Sequence, residues 1–246
     1  MHMSDHRIFI TGATGYIGSR LIPILLGSGH EVTALAREQS RHKLPPGCAV
    51  AIADALNGDS YAAAVRGADT FIHLVGVSHP SPSKAQEFLN VDQRSAEQAI
   101  QVARQNGIEH FVYLSVAQPA PMMHAYIEVR AHCENVLRAS GMNATILRPW
   151  YVLGPGHRWP YALIPFYKLA ELFPKTRGGA RRLGLVTISD MLKTIAAAVA
   201  NPPSGVRLIE APEIRKRQQL RSRQGRGASN KLDSDHLKSP VQAVKQ

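Results

Sequence analysis

The sequence predicts an α/β protein: a doubly wound parallel sheet followed by a small C-terminal lobe. Three observations carry this expectation. Short apolar runs alternate with segments of helical periodicity six times before Pro149, and parallel neighbours need such crossovers, which cover both faces of a sheet. The first run opens into glycines at the head of a helix. After Pro149 the regularity gives way to a stretch rich in Gly, Pro and aromatics, read as a substrate-side lobe at the carboxyl ends of the strands, where open α/β sheets place their ligands.

Each element follows from its pattern. Arg7 to Thr11 reads as a short buried strand, and Tyr16 to Leu26 as a helix with Ile17, Leu21, Ile24 and Leu25 on one side, stopped by Gly27-Ser28-Gly29. Glu31 to Ala36 is the second strand. Ala49 to Ala53 and Thr70 to Val75 are two more, separated by a short helical stretch around Tyr61 to Val65. Lys84 to Gln105 places Phe88, Val91, Ala96, Ala99, Ile100 and Ala103 at helical spacing and ends at Asn106-Gly107. His110 to Val116 is a strand, Ala125 to Ala139 a helix stopped at Gly141, and Ala144 to Leu147 the next strand, closing on Arg148-Pro149. In the lobe, a short helix is expected near Tyr161 to Leu172. An amphipathic helix capped by Ser189 or Asp190 runs to Asn201-Pro202, and Val206 to Ile209 is a last strand. Trp150, Tyr151, Trp159, Tyr161, Phe166 and Tyr167 could wall an apolar pocket or be simple core.

At 246 residues and 44% hydrophobic content the chain can bury a real core. We expect one domain over residues 1–212, its lobe at about 150–212, and a basic tail over 213–246. The net charge of +11 is concentrated there: residues 213–246 carry a net +6, leaving +5 for residues 1–212. With few large apolar residues the tail is expected to stay solvated and disordered, and no specific nucleic-acid partner follows from it. No basic stretch leads into a long apolar run, and no run reaches about eighteen apolar residues, so a soluble, cytoplasmic protein without a transmembrane segment is expected. Cys48 and Cys133 lie far apart, and the eleven histidines form no ligand motif, so neither disulfide nor metal site is indicated.

Gly12, Gly15 and Gly18 form GxxGxxG directly after a strand and at the head of a helix. Gly12 permits the tight turn, Gly15 removes a side chain where a diphosphate must approach the backbone, and Gly18 lets the helix pack closely. The helix N-terminus, reached through Tyr16 and Ile17, offers unpaired N–H groups and a partial positive charge. These features imply a dinucleotide. The tip of the second strand reads Ala36-Arg37. NAD readers carry a carboxylate about twenty residues past the glycines, whereas an arginine fork suits a 2′-phosphate. NADP is therefore expected, with NAD as the alternative because Glu38 stands one step beyond. Thr14 and Arg41 could add phosphate contacts.

TGATGYIG, ALAR, Ala53-Asp54, FIHLVG (71–76), Asn90, FVYLSV (111–116), LRPWYVLGPG (147–156) and VTISDM (186–191) together resemble the short-chain dehydrogenase/reductase superfamily, from about Arg7 to Ala211. The likeness is to its extended and atypical branches, which include NmrA-like proteins, epimerase/dehydratase-like proteins and the dehydrogenase-like accessory subunit of complex I. The resemblance implies a Rossmann-type fold, with Asp54 contacting adenine, Val75 and Gly76 lining the adenosine ribose, and Asn90 supporting the helix beside the active site.

Superfamily enzymes move a hydride with a Ser, a Tyr and a Lys arranged YxxxK. By that resemblance Ser115 would orient the substrate, Tyr126 would exchange a proton with its oxygen, and the lysine position is Arg130. Tyr126 and Arg130 are an i, i+4 pair on one helix face. Arginine supplies a permanent charge and could grip ribose hydroxyls, but it cannot serve in a proton relay. His124 is a weaker proton-donor candidate, and Arg148-Pro149 shapes the switch into the lobe. Two functions follow: an NADP-dependent oxidoreductase acting on a small carbonyl, isoprenoid or quinone-like molecule, or a non-catalytic NADP(H) sensor or assembly protein. The departure at Arg130 favours the second, and Ser115 with Tyr126 favours the first.

Overall fold

β1 (Arg7–Thr11) already builds two faces. In the computed structural model, which describes residues 5–155 and 182–215, Ile8 and Ile10 enter one hydrophobic cluster and Phe9 the other, as the period of two in a pleated strand requires. All three are buried, because a parallel sheet is covered on both sides. The chain continues through α1 (Gly18–Gly27), β2 (Glu31–Ala36), β3 (Ala49–Ile52), α2 (Ala62–Val65) and β4 (Thr70–His73). A helical run follows as α3 (Ala85–Glu87), a π-helical turn (Phe88–Gln93) and α4 (Arg94–Gln105). Then come β5 (His110–Leu114), α5 (His124–Ala139), β6 (Asn143–Arg148), β7 (Val152–Leu153), β8 (Val186–Thr187), α6 (Ile188–Val199) and β9 (Val206–Glu210).

Seven strands form one parallel sheet in the order β3-β2-β1-β4-β5-β6-β9, with β7 and β8 paired separately. This is the expected Rossmann-type fold. Leu21, Ile22 and Leu25 of α1 and Met191, Ile195 and Val199 of α6 pack with Ile8, Ile10, Val112 and Leu147 on one face. Val65 of α2, Ala99 and Ala103 of α4, and Val129, Cys133 and Leu137 of α5 pack with Phe9, Phe71 and Phe111 on the other. The register sets Phe9 beside Phe71 and Phe71 beside Phe111, so their rings meet across the strands at 5.2 and 5.1 Å. Strand order reverses between β1 and β4, and the glycine loop sits at that switch point.

Three local expectations are corrected. The cap of α6 is Thr187 rather than Ser189 or Asp190: its hydroxyl accepts from the Asp190 N–H at 3.1 Å and donates to the Asp190 carboxylate at 2.7 Å. Val91, placed at helical spacing with the apolar residues of this segment, is only half-buried, and Asp92 takes the interior position in the π-helical turn. Residues 213–215, assigned to the tail, begin inside the domain. They continue the helical turn opened at residue 211, and Ile214 is fully buried among Met191 and Ile209. The helix expected near 161–172, the aromatics Trp159, Tyr161, Phe166 and Tyr167, and the tail from residue 216 lie outside the described residues.

Candidate functional site

The glycine loop is dictated by close approach. Gly12 has φ +73°, and a Cβ there would stand 2.6–2.9 Å from the Leu74 and Val75 backbone at the tip of β4. No other residue type fits without parting β1 from β4. At Gly18 a Cβ would collide with the Gly12 carbonyl and the Ala13 backbone, so this glycine seats α1 on the loop itself. Gly15 differs, because a Cβ there would meet only the Gly12 oxygen, at 3.1 Å, and the residue is exposed. The residue before α1, Ile17, makes no side-chain capping bond. The Gly15 N–H donates to the Gly12 carbonyl at 3.0 Å, and a helix head without a side-chain cap, beside a loop position free of a Cβ, fits a diphosphate. Thr14 is half-buried beside it. Ile17 packs on the core, and the Tyr16 ring lies under the Arg20 guanidinium at 4.3 Å with its hydroxyl against Gly154.

Arg37 follows the last residue of β2 and is exposed, with Arg41, His42 and Lys43 on the next short helical turn. Asp54 lies just past β3, whose Ile52 pairs with Ala36. One of its carboxylate oxygens accepts the Leu56 N–H at 3.0 Å and closes the turn, and the residue is exposed. Arg37 and Asp54 thus share one corner at the carboxyl ends of adjacent strands.

Two buried networks hang from α5, whose Tyr126, Arg130 and Glu134 recur every four residues along one face. The first centres on Arg130. Its guanidinium pairs with the fully buried Asp92 and donates to the Leu114 carbonyl at 2.8 Å and to the Val75 carbonyl at 3.4 Å, tying the tips of β4 and β5 together. The other Asp92 oxygen accepts the Val77 N–H at 3.0 Å. Gly76 has no room for a Cβ because this pair occupies the space. Tyr126 lies beside it, its ring 5.2 Å from the Arg130 guanidinium carbon and 4.9 Å from the Phe88 ring. Burial pushes the Tyr126 phenol up, opposed by Arg130 and reinforced by Asp92. Burial also pushes the Asp92 carboxyl up, and Arg130 and the Val77 amide draw it back. It stays the counter-ion, since a lone buried guanidinium is costlier than the pair.

The second network holds Ser115. Its hydroxyl donates to Glu134 at 2.6 Å, and the same carboxylate accepts from Gln118 at 2.8 Å and, as a two-pronged fork, from the Arg148 Nε and Nη2 groups at 2.8 and 2.5 Å. Ser115 is therefore oriented through its proton, with its lone pairs left to accept. Sequence reasoning singled out Ser115, Tyr126 and Arg130 but missed Asp92, Glu134 and Gln118. Glu134 carried a signal, being four residues past Arg130 and eight past Tyr126. Asn90 does not support the helix as the resemblance implied: it is exposed and bonds to Gln86, and Asp92 holds the buried position instead. His124 is the exposed first residue of α5.

The glycine loop and the switch point are the parts of a nucleotide-binding fold, and a family model described as NAD(P)H-binding matches residues 12–160. The chain belongs to this family. It is an atypical member of the short-chain dehydrogenase/reductase superfamily. This NAD(P)H-binding protein is 26% identical to ceramide reductase of Caulobacter vibrioides over 211 residues, 85% of this chain and 65% of that one. It is 30% identical to 3-beta-hydroxysteroid dehydrogenase of Mycolicibacterium neoaurum over 113 residues, 44% of this chain and 31% of that one. It thus spans less than two thirds of either relative. The structure of the Bordetella bronchiseptica enzyme WbmG with NAD shares its fold, with TM-score 0.63, 23% identity, and coverage of 87% and 76% of the two chains. Among the described residues no helix is long and apolar enough to cross a membrane, and no group of three or more His, Cys, Asp or Glu could hold a metal.

Proposed function

We propose that this protein is an NADP-dependent oxidoreductase acting on a small carbonyl, isoprenoid or quinone-like substrate in the cytoplasm. The observation that carries the reading is the juxtaposition of Tyr126 with Arg130, whose guanidinium bridges the carboxyl tips of β4 and β5 at the sheet's switch point. The names of its relatives, a reductase and a dehydrogenase, support the same class.

In this reading the loop amides from Gly12 to Gly18 hold the diphosphate, with Thr14 beside them. Arg37, joined by Arg41, faces the 2′-phosphate, Asp54 the adenine, and Val75 and Gly76 the adenosine ribose. The unpaired 2′-phosphate charge favours a corner that presents Arg37, Arg41 and Lys43. When bound, the reduced nicotinamide supplies a hydride. The chain supplies the proton from Tyr126, and Ser115, locked by Glu134, receives a hydrogen bond from the substrate hydroxyl as it forms. Arg130 holds the tips of β4 and β5 in place around that oxygen.

The test is NADPH oxidation with a panel of aldehydes, ketones and quinones by the parent and by Tyr126→Phe. Turnover by the parent and its loss of about 100-fold or more in Tyr126→Phe is expected. NADPH binding without turnover on any member of the panel would replace this reading with a non-catalytic NADP(H)-binding protein.

A further inference from the structure

Arg130 occupies the position from which a free cation would stabilise a phenolate at Tyr126. It is not free. Asp92, fully buried, pairs with it from the π-helical turn, and that carboxylate is itself fixed by the Val77 amide. Three other titratable groups surround the pair: Tyr113 on β5, His73 on β4 and Cys133 on α5. Burial keeps each of them uncharged, with His73 pushed down to about 3 and Cys133 up to about 11. Arg130 and Asp92 are thus the charges that act on Tyr126, and they oppose one another. The Arg130 Nε finds no partner among the described residues, so the Asp92 pairing, not saturation of the fork, neutralises the group.

We propose that Asp92 is a positioning residue that holds Arg130 as half of a neutral pair, so that Tyr126 meets substrate as a phenol, the protonation state from which a carbonyl is reduced. The direction of reaction rests on the oxidoreductase reading above, whereas the control of Tyr126 by Asp92 does not. In the reduction the phenol O–H breaks as the substrate oxygen takes that proton, and the carbonyl carbon gains a hydride from reduced nicotinamide. The phenolate left behind recovers a proton from water. Arginine in place of lysine suits this role, because it stays charged in a buried pair and leaves the proton chemistry to the tyrosine alone.

The experiment is a spectroscopic titration of tyrosinate in the full-length protein, with Tyr126 isolated by subtracting the matching Tyr126→Phe variant. In the parent, Tyr126 should ionise after ordinary tyrosines. In Asp92→Asn, which keeps an acceptor for the Val77 amide, the uncompensated Arg130 should draw the midpoint down from the parent's by at least about one pH unit. The paired variant Asp92→Leu/Arg130→Met removes both charges and should leave the midpoint within about half a unit of the parent, and it serves where the single variant does not fold. An unmoved midpoint in folded Asp92→Asn, or a large downward move in the double variant, overturns the role of Asp92. NADPH calorimetry on the same samples reports separately on the oxidoreductase reading. A shifted titration with no NADPH binding sinks that reading and leaves Asp92's role standing, and the reverse pattern sinks only the role of Asp92.

Discussion

Substituting alanine at each of the three loop glycines separates what the fold needs from what the ligand needs. At Gly12 the φ of +73° costs a side chain about 1–2 kcal/mol. The added methyl, 2.6–2.9 Å from the Leu74 and Val75 backbone, adds about 1–3 kcal/mol as β1 and β4 part. Gly12→Ala should therefore lower stability by about 2–5 kcal/mol, or Tm by about 4–20 °C for a domain of this size. Gly18→Ala carries only the overlap with the Gly12 and Ala13 backbone, about 1–3 kcal/mol. Gly15→Ala meets one carbonyl oxygen at 3.1 Å, so its stability should stay within about 1 kcal/mol of the parent. In the proposed site its methyl would stand where phosphate oxygens reach the amides. Losing one charge-assisted hydrogen bond, about 1.5–3 kcal/mol, weakens NADPH by about 10- to 100-fold. Thermal melts and calorimetry on the three variants check this. A Gly15→Ala protein that melts as early as Gly12→Ala, or that binds NADPH like the parent, refutes the assignment of Gly15 to the ligand.

Three further outcomes follow from the same geometry. Arg37→Ala should weaken NADPH by about 10- to 100-fold while leaving NADH within about twofold, measured by titration of both; equal losses would remove Arg37 from the 2′-phosphate corner. Burial pushes His73 down to about 3 and His110 down to about 4, so the unfolded chain binds more protons than the folded one below the ordinary histidine value. Their stabilising contribution is full above about pH 6.5 and is lost as pH falls, about 4 kcal/mol for the two between about pH 7 and pH 5. Denaturant curves across that window should show it, and His73→Asn should lessen the slope by about one proton. Removing Glu134 leaves the Arg148 guanidinium short of its main partner, so Glu134→Ala should cost about 3 kcal/mol, against about 1 kcal/mol for Ser115→Ala. Chemical denaturation of both variants checks the difference.

The sheet was legible because its signals are local. Ile8-Phe9-Ile10 and Phe71-Ile72 are continuous apolar runs that make sense only when both faces are covered. The glycine spacing was legible too, since Gly12 and Gly18 are required by atoms within a few residues of the loop or at the next strand tip. What the sequence hid depends on distant pairing. Asp92 reads as a polar residue on a helix, and only the π-helical turn and the guanidinium from α5 make it an interior group. Glu134 gains its meaning from Ser115 and Arg148, which reach it from the ends of two other elements. Ile214 sits in a charged stretch whose composition describes a solvated tail, yet the neighbouring apolar groups of α6 and β9 bury it. The Ser189 or Asp190 cap was misassigned because three capping residues lie within four positions, and the strand end at Thr187 decides which one precedes the first helical residue.

The claim that all else depends on is that the backbone from Gly12 to Gly18 binds a pyridine dinucleotide with its 2′-phosphate at Arg37. Calorimetry of the full-length protein with NADPH and NADH tests it directly. Saturable heat at one NADPH per chain, with NADPH bound at least about tenfold tighter than NADH, is the predicted result. No heat from either nucleotide, oxidised or reduced, would contradict it.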